Sequence, residues 1–247
     1  MLKSLMADLH IHTCLSPCGE LEMAPRSIAR AAVAAGIDWI AVADHNSGEM
    51  AAVMAVAARE AGLAFLYGME VQTREDVHVL AYFDDEPGFR RFAQVVDKAL
   101  PERANDPAVF GDQPVVDLEE NIVRCEPRML LNAVRLGFDE VVEEIERQGG
   151  LAVPAHVDRE AFGLLAQLGF VPVGRTFCLV ESVRGPLPPG FGDATRLCSS
   201  DAHRLEDIGR RVTRFTVAAP TLDEMRRAAA GEGGRSAVCH VRKEGTR

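Results

Sequence analysis

Along this chain, short apolar runs end repeatedly in a histidine or a carboxylate, and helical stretches separate one run from the next. No other feature constrains the fold as much. The first instance is Ala7-Asp8-Leu9-His10-Ile11-His12-Thr13. In an extended strand, residues two apart share a face. His10 and His12 can therefore aim two imidazoles at one ion, while Ile11 turns the other way into a core. Six of the seven histidines keep similar company: His10, His12, His45, His78, His156 and His203.

Read in order, strands are predicted at residues 5–11, 37–43, 63–71, 77–83, 151–155, 176–180 and 196–199, with one more at 212–218. Helices are predicted at 25–35, 48–61, 89–100, 128–136, 139–148, 161–168 and 222–230. Pro25 suits a first helical turn and Gly36 a helix end. Residues 37–43 are almost all apolar, as expected of a strand buried on both faces. The alternation predicts a mostly parallel sheet with helices outside. About seven strands in 247 residues favour a small closed or distorted (β/α) barrel, an α/β fold whose site is built at the carboxyl ends of the strands. The clusters fall there, except that His78 lies at the start of its strand. Residues 101–127 break the pattern with Pro101, Pro107, Pro114 and Pro127 and are expected to form an insertion or lid. The whole of 1–247 is read as one domain, ending in a helix and tail over 219–247.

Composition narrows the function. Hydrophobic residues are 47% and charged residues 26%, ordinary for a globular chain. A net charge of −10 argues against broad binding to duplex nucleic acid, so stable duplex DNA binding is not expected. A nucleotide or phosphate substrate stays open, because bound divalent metals reverse the local field. No apolar run approaches the roughly 18 residues of a membrane span. The N-terminus also lacks the apolar stretch of a signal peptide. The expectation is a cytoplasmic protein without a membrane partner, with Cys14, Cys18, Cys125, Cys178, Cys198 and Cys239 mostly reduced.

Imidazoles and carboxylates together suit zinc, manganese or iron. Six histidines with Glu70 and Asp201 exceed the needs of one ion, and two carboxylates allow bridging, so two or three divalent ions are expected. Such a cluster suits hydrolysis at phosphorus. No Ser or Cys stands in a strand–turn–helix elbow, which favours direct attack by water.

Asp8-Leu9-His10-Ile11-His12-Thr13, Ala43-Asp44-His45-Asn46, Gly68-Met69-Glu70, Pro154-Ala155-His156 and Ser199-Ser200-Asp201-Ala202-His203 occur in that order. Together they make the chain, from about residue 7 to 205, resemble the PHP superfamily, the polymerase and histidinol phosphatase domain. The resemblance implies a distorted seven-stranded, TIM-like (β/α) barrel. It also implies a di- or trinuclear metal centre and, in most active members, phosphoester hydrolysis. Carried over by position, it assigns His10, His12, Glu70 and Asp201 to one ion, and Glu70, His78 and His156 to a second. His45 and His203 would help hold a third. Where trinuclear members often carry a histidine six residues after the second one of the first motif, this chain has Cys18. Its thiolate would complete the third site, or Cys18 is a plain loop thiol. A second departure is Val157, where many members have proline.

Other candidates carry two readings each. Arg159 is a phosphate clamp, or a surface arginine paired with Asp158 or Glu160. Asp44 orients a metal-bound histidine, or caps the next helix with Asn46 and Ser47. Glu181 supports a ligand or forms an ordinary salt bridge. Arg26, Arg175, Arg184 and Arg204 are further phosphate candidates, and His240 reads as a surface residue. The expected activity is a metal-dependent phosphoesterase acting on a phosphorylated small molecule, nucleotide or short oligonucleotide. The alternative is a noncatalytic, metal-stabilised module serving interaction or accompanying a polymerase. An amidohydrolase acting on a C–N bond is a third, minor option.

Overall fold

In the computed structural model, which describes residues 1–242, the first strand, β1 (Lys3–Ile11), is followed by α1 (Pro25–Ala34), β2 (Trp39–Val42), α2 (Ala51–Glu60), β3 (Ala64–Gln72), β4 (His78–Phe83) and α3 (Glu86–Ala99). Local chemistry accounts for the helices. Pro25 stands in the first turn of α1, which buries Ile28, Ala29 and Ala32 along one face. Asp85 accepts a hydrogen bond from Gly88 N and starts α3, which buries Phe89, Phe92 and Val96. Next come a short helix, α4 (Pro107–Phe110), and a hairpin of β5 (Pro114–Val116) and β6 (Ile122–Cys125). The chain then continues through α5 (Phe138–Arg147), β7 (Leu151–Pro154), α6 (Leu164–Leu168), β8 (Leu179–Glu181), β9 (Thr195–Leu197), β10 (Arg211–Val217), α7 (Leu222–Ala229) and β11 (Ser236–Val241). Residues 243–247, the end of the expected tail, lie outside the described residues.

Seven strands form one curled sheet in the order β11-β10-β1-β2-β3-β4-β7. The parallel pair β8–β9 spans the gap, with β8 beside β7 and β9 beside β11. Leu9, Trp39, Leu66, Leu80, Val153, Leu179, Leu197 and Phe215, drawn from eight strands, meet in one buried cluster. That shared interior makes the architecture a distorted α/β barrel, as expected. The helices cover its outside.

The sheet is less parallel than expected. β1, β2 and β3 run parallel, but β4 is antiparallel to both β3 and β7, and β10 is antiparallel to β1 and β11. Only residues 73–77 join β3 to β4, far fewer than the dozen or so a parallel crossover needs. The reversal also removes the His78 anomaly. The start of β4 lies at the same end of the barrel as the finish of β3, with His78 opposite Gln72.

A bulge in β1 sets the first two histidines. Asp8 pairs with Ile40 and Ile11 with Val42, so β1 spends one residue more than β2 over that span. Ala7 and Leu9 face the barrel interior, whereas Ile11 packs outside against Met23 and Ile28. The Tyr82 hydroxyl donates to Leu9 O at 2.8 Å and fixes the irregular backbone.

Two further readings change. The predicted helix at 128–136 does not form. Its backbone is held instead by side-chain amides: Gln113 bonds Glu126 O, Arg128 O and Leu130 N, and Asn46 bonds Leu130 O and Asn132 O. Of the six cysteines, Cys198 and Cys239 pair as a disulfide, while Cys14, Cys18, Cys125 and Cys178 are free. No helix among the described residues is long and apolar enough to cross a membrane.

Candidate metal centre

Glu70, near the carboxyl end of β3, collects five imidazoles. Its Oε1 lies 2.8 Å from His78 Nδ1, 3.0 Å from His156 Nε2 and 3.4 Å from His10 Nε2. Its Oε2 lies 3.1 Å from His45 Nδ1 and 3.6 Å from His12 Nε2. Asp201 Oδ1 stands 3.3 Å from His10 Nε2 and 3.2 Å from His12 Nε2. His203 stacks on His12 with centroids 4.3 Å apart. Backbone pairing delivers these groups. Asn46 N donates to Glu70 O and Glu70 N to Asp44 O, His12 N reaches Ala202 O, and Ala155 N reaches His78 O.

Three overlapping sets have ligand atoms within 4.8 Å of one another: His10, His12 and Glu70; His45, Glu70 and His78; and His12, Cys18, His45 and His203. Cys18 is thus brought to the third set. Gly19 makes this turn feasible, since a Cβ there would meet Thr13 O at 2.5 Å. Around the sets lies a cleft of about 270 Å³, with Cys18, Gln72, Leu131, Arg159 and Phe162 in its walls.

Electrostatics follow from this crowding. Burial opposes ionisation of Glu70, yet His78, His10 and His45 hold its carboxylate well below the usual range. Burial likewise works against Asp201, and His10 and His12 outweigh it. Burial disfavours charge on His10, but Glu181, Asp201 and Glu70 raise its pKa well above the ordinary value. Burial pushes His45 well below its ordinary value and brings His203 down to about 4. Desolvation of the inward side of Cys18, then Glu70 and Asp201, push its thiol up.

The residues fit a cluster of cations. His10 Nε2, His45 Nδ1, His78 Nε2 and His156 Nδ1 are buried without a hydrogen-bond partner. Such orphans are rare in folded proteins and two of these point at Glu70. Two buried carboxylates among six imidazoles and a thiol form a donor set suited to zinc, manganese or iron.

Several supporting roles are visible. Glu181 accepts His10 Nδ1 at 3.1 and 3.2 Å and His156 N at 3.0 Å, so one carboxylate aligns two candidate ligands. Asp44 touches no imidazole nitrogen. It accepts from Thr13 N, Thr13 Oγ1 and Ser16 Oγ at 2.7–2.8 Å, and Ser16 Oγ stands 3.1 Å from His12 Nδ1. It does not cap α2, whose first turn has no side-chain cap. Arg159 Nη2 lies 2.5 Å from Asp201 Oδ2 at the cleft mouth. It does not pair with Asp158, which instead accepts from Ser182 Oγ, Val183 N and Arg184 N. Three other arginines are engaged elsewhere: Arg26 with Glu60, Arg175 with Asp139 and Glu143, and Arg204 with Glu20. Arg184 is exposed and His240 lies on β11, outside the cluster.

Two residues went unnoticed in the sequence. Asp8 is fully buried, binds Ser200 N and Gly209 N, and has its carboxyl raised to about 6 by burial. Its signal was a carboxylate inside an apolar strand, two residues before His10. Phe162 stacks on His78, and nothing in the spacing announced it.

A distorted α/β barrel with histidines and carboxylates that could hold metal ions gathered at one end defines a class of candidate metallo-barrels. The sequence pattern described as the PHP domain matches residues 8–152, and the chain belongs to the PHP domain family. No curated protein matches it. Among solved structures, it is similar to the lesion-specific endonuclease PfuEndoQ from Pyrococcus furiosus, with TM-score 0.71 and 20% identity, covering 95% of this chain and 58% of that one. A complex of Endonuclease Q with a 27-mer duplex carrying an abasic lesion gives 0.69 and 20%, with the same coverages. A putative metal-dependent phosphoesterase from Bifidobacterium adolescentis gives 0.52 and 19%, covering 80% of this chain and 87% of that one. The chain thus spans 58% of the endonuclease chains.

Proposed function

We propose that this chain is a hydrolase of phosphoester bonds that depends on two or three divalent transition-metal ions. The observation that carries the reading is the convergence of His10, His12, His45, His78, His156, His203, Glu70 and Asp201 around buried nitrogens with no partner. Cys18 belongs to the same ligand set through the third group. Bound there, divalent ions supply an activated water and neutralise charge at a phosphoryl group. The chain's own residues do the rest. Glu70 gathers ligands from four strands or their loops. Glu181 fixes His10 and His156. Asp44 acts through Ser16 on His12, as a positioning residue rather than a catalytic one. Arg159, about a third exposed, offers a planar cation to a phosphate at the cleft mouth.

The substrate is a phosphorylated small molecule, a nucleotide or a nucleic-acid strand. The expectation against duplex DNA is not carried forward. An endonuclease of similar fold is described in complex with a duplex carrying an abasic lesion at the active site, so the fold itself is no bar to duplex DNA. The test is release of phosphate from an aryl phosphate with added manganese, abolished by a chelator. A metal-loaded protein inert towards a broad phosphoester panel, DNA with abasic sites included, would favour the noncatalytic reading.

A further inference from the structure

Phe162 does what no core residue needs to do. Its backbone sits at φ +60°, a region bulky side chains rarely adopt. Three contacts enforce this. Phe162 O accepts from His78 N at 3.0 Å. Gly163 follows so closely on the Arg159 and His156 carbonyls that no side chain fits there. The Phe162 ring lies flat on His78, with centroids 4.4 Å apart and planes 11° from parallel. Yet the residue remains 38% exposed. One face lies on a candidate metal ligand, and the residue also lines the cleft. Arg159 and Leu131 share that cleft. A flat apolar surface thus stands within reach of a guanidinium, beside a cluster that takes a phosphoryl group. The cleft, about 270 Å³, falls just below the usual range for small-molecule sites.

We propose that Phe162 is a specificity-determining residue, a stacking platform that selects phosphoesters carrying a planar ring, with a nucleobase as the natural source of that ring. The inference rests on the phosphoesterase reading and narrows its substrate. A merely protective role for the ring, shielding His78 from water, would ask only for apolar bulk. A stacking role asks for a flat face.

The experiment compares the metal-loaded wild type with Phe162→Ala and Phe162→Leu. Metal content is measured first, to establish that both variants fold and load. Substrates are adenosine 5′- and 3′-monophosphate, ribose 5-phosphate, which lacks a base, and an aryl phosphate, which carries a ring without a nucleoside. Base stacking removed by such a substitution is worth at least about a fivefold loss. Both variants are therefore expected to lose at least about fivefold in kcat/KM on the nucleotides and under about twofold on ribose 5-phosphate. Loss on the aryl phosphate as well identifies any planar ring as sufficient; its absence restricts the site to nucleotides. Equal losses on nucleotide and ribose phosphate, or full activity in Phe162→Leu, would overturn the proposal. Calorimetric binding of adenosine monophosphate and ribose 5-phosphate separates the two layers. An inert wild type that still prefers the nucleotide, with the preference lost in Phe162→Ala, sinks the hydrolase reading alone. Equal affinity for both ligands sinks this one.

Discussion

Glu181→Ala is the sharpest test of how the centre is held. The carboxylate sits between strands and is almost fully buried, accepting the outward nitrogen of His10 and the backbone N–H of His156. Removing it leaves the His10 ring without the acceptor that keeps Nε2 aimed at Glu70 and Asp201. Partners of this kind are worth about 10–100-fold in metal affinity, or about 1.4 to 2.7 kcal/mol. The substitution also strands a buried N–H at His156, whose φ of +29° needs that support. An orphaned buried donor costs about 1–3 kcal/mol, a fall of roughly 2–12 °C in Tm for a chain of this size. The assay is competition for zinc or manganese against a chromophoric chelator, with thermal unfolding of the chelated protein beside it. Glu181→Gln keeps an acceptor for one of its two donors and should fall between. Wild-type metal affinity in Glu181→Ala, alongside loss of affinity in His10→Ala, would refute the reasoning.

Four more outcomes follow from the same geometry. Glu70→Ala should leave at most about one tightly bound ion per chain, at the set of His12, Cys18, His45 and His203, since the other two sets both lose their carboxylate; full occupancy by elemental analysis would contradict the hub. Cys18→Ser should lose about one zinc per chain and keep the others, whereas unchanged stoichiometry and activity would remove the thiol from the site. Without metal, the raised pKa of His10 gives stability present below about pH 6.5 and lost as pH climbs through its folded pKa, while ligation requires the neutral ring. The Tm gap between loaded and chelated protein should therefore widen from pH 6 to 9, and a constant gap would argue against His10 as a ligand. Asp44→Ala strands two hydroxyls and an N–H and should destabilise the protein by about 1–3 kcal/mol in denaturant titration, with partial rescue by Asp44→Asn.

Much of the candidate cluster was legible because its residues sit where chain geometry leaves marks. His10 and His12 close an apolar run, Glu70 ends another, and Asp201 and His203 follow a third. The barrel was legible from alternation, but strand direction was not. The five-residue link from 73 to 77 held that information, and periodicity alone does not weigh it. The predicted helix at 128–136 failed for a different reason. Its spacing was helical, but Gln113 and Asn46 claim its backbone groups from a distance. Glu181 and Asp44 were visible as acids near strand ends, yet only three dimensions show that one aligns two histidines and the other works through Ser16. Phe162 left no trace, because its role comes from a left-handed backbone and a neighbour 84 positions earlier, His78.

The extra residue in β1 works as a phase shift between two codes written on one strand. Upstream of it, alternate positions spell the barrel's lining; downstream, alternate positions spell the ion cage. Pairing β1 to β2 without the bulge, with no residue added or removed, would leave composition, charge and every histidine in place, yet it would put the two codes back in step. The strand would then offer its imidazoles to the helical layer and Ile11 to the cleft, and the chemistry would vanish from a barrel that still looks intact.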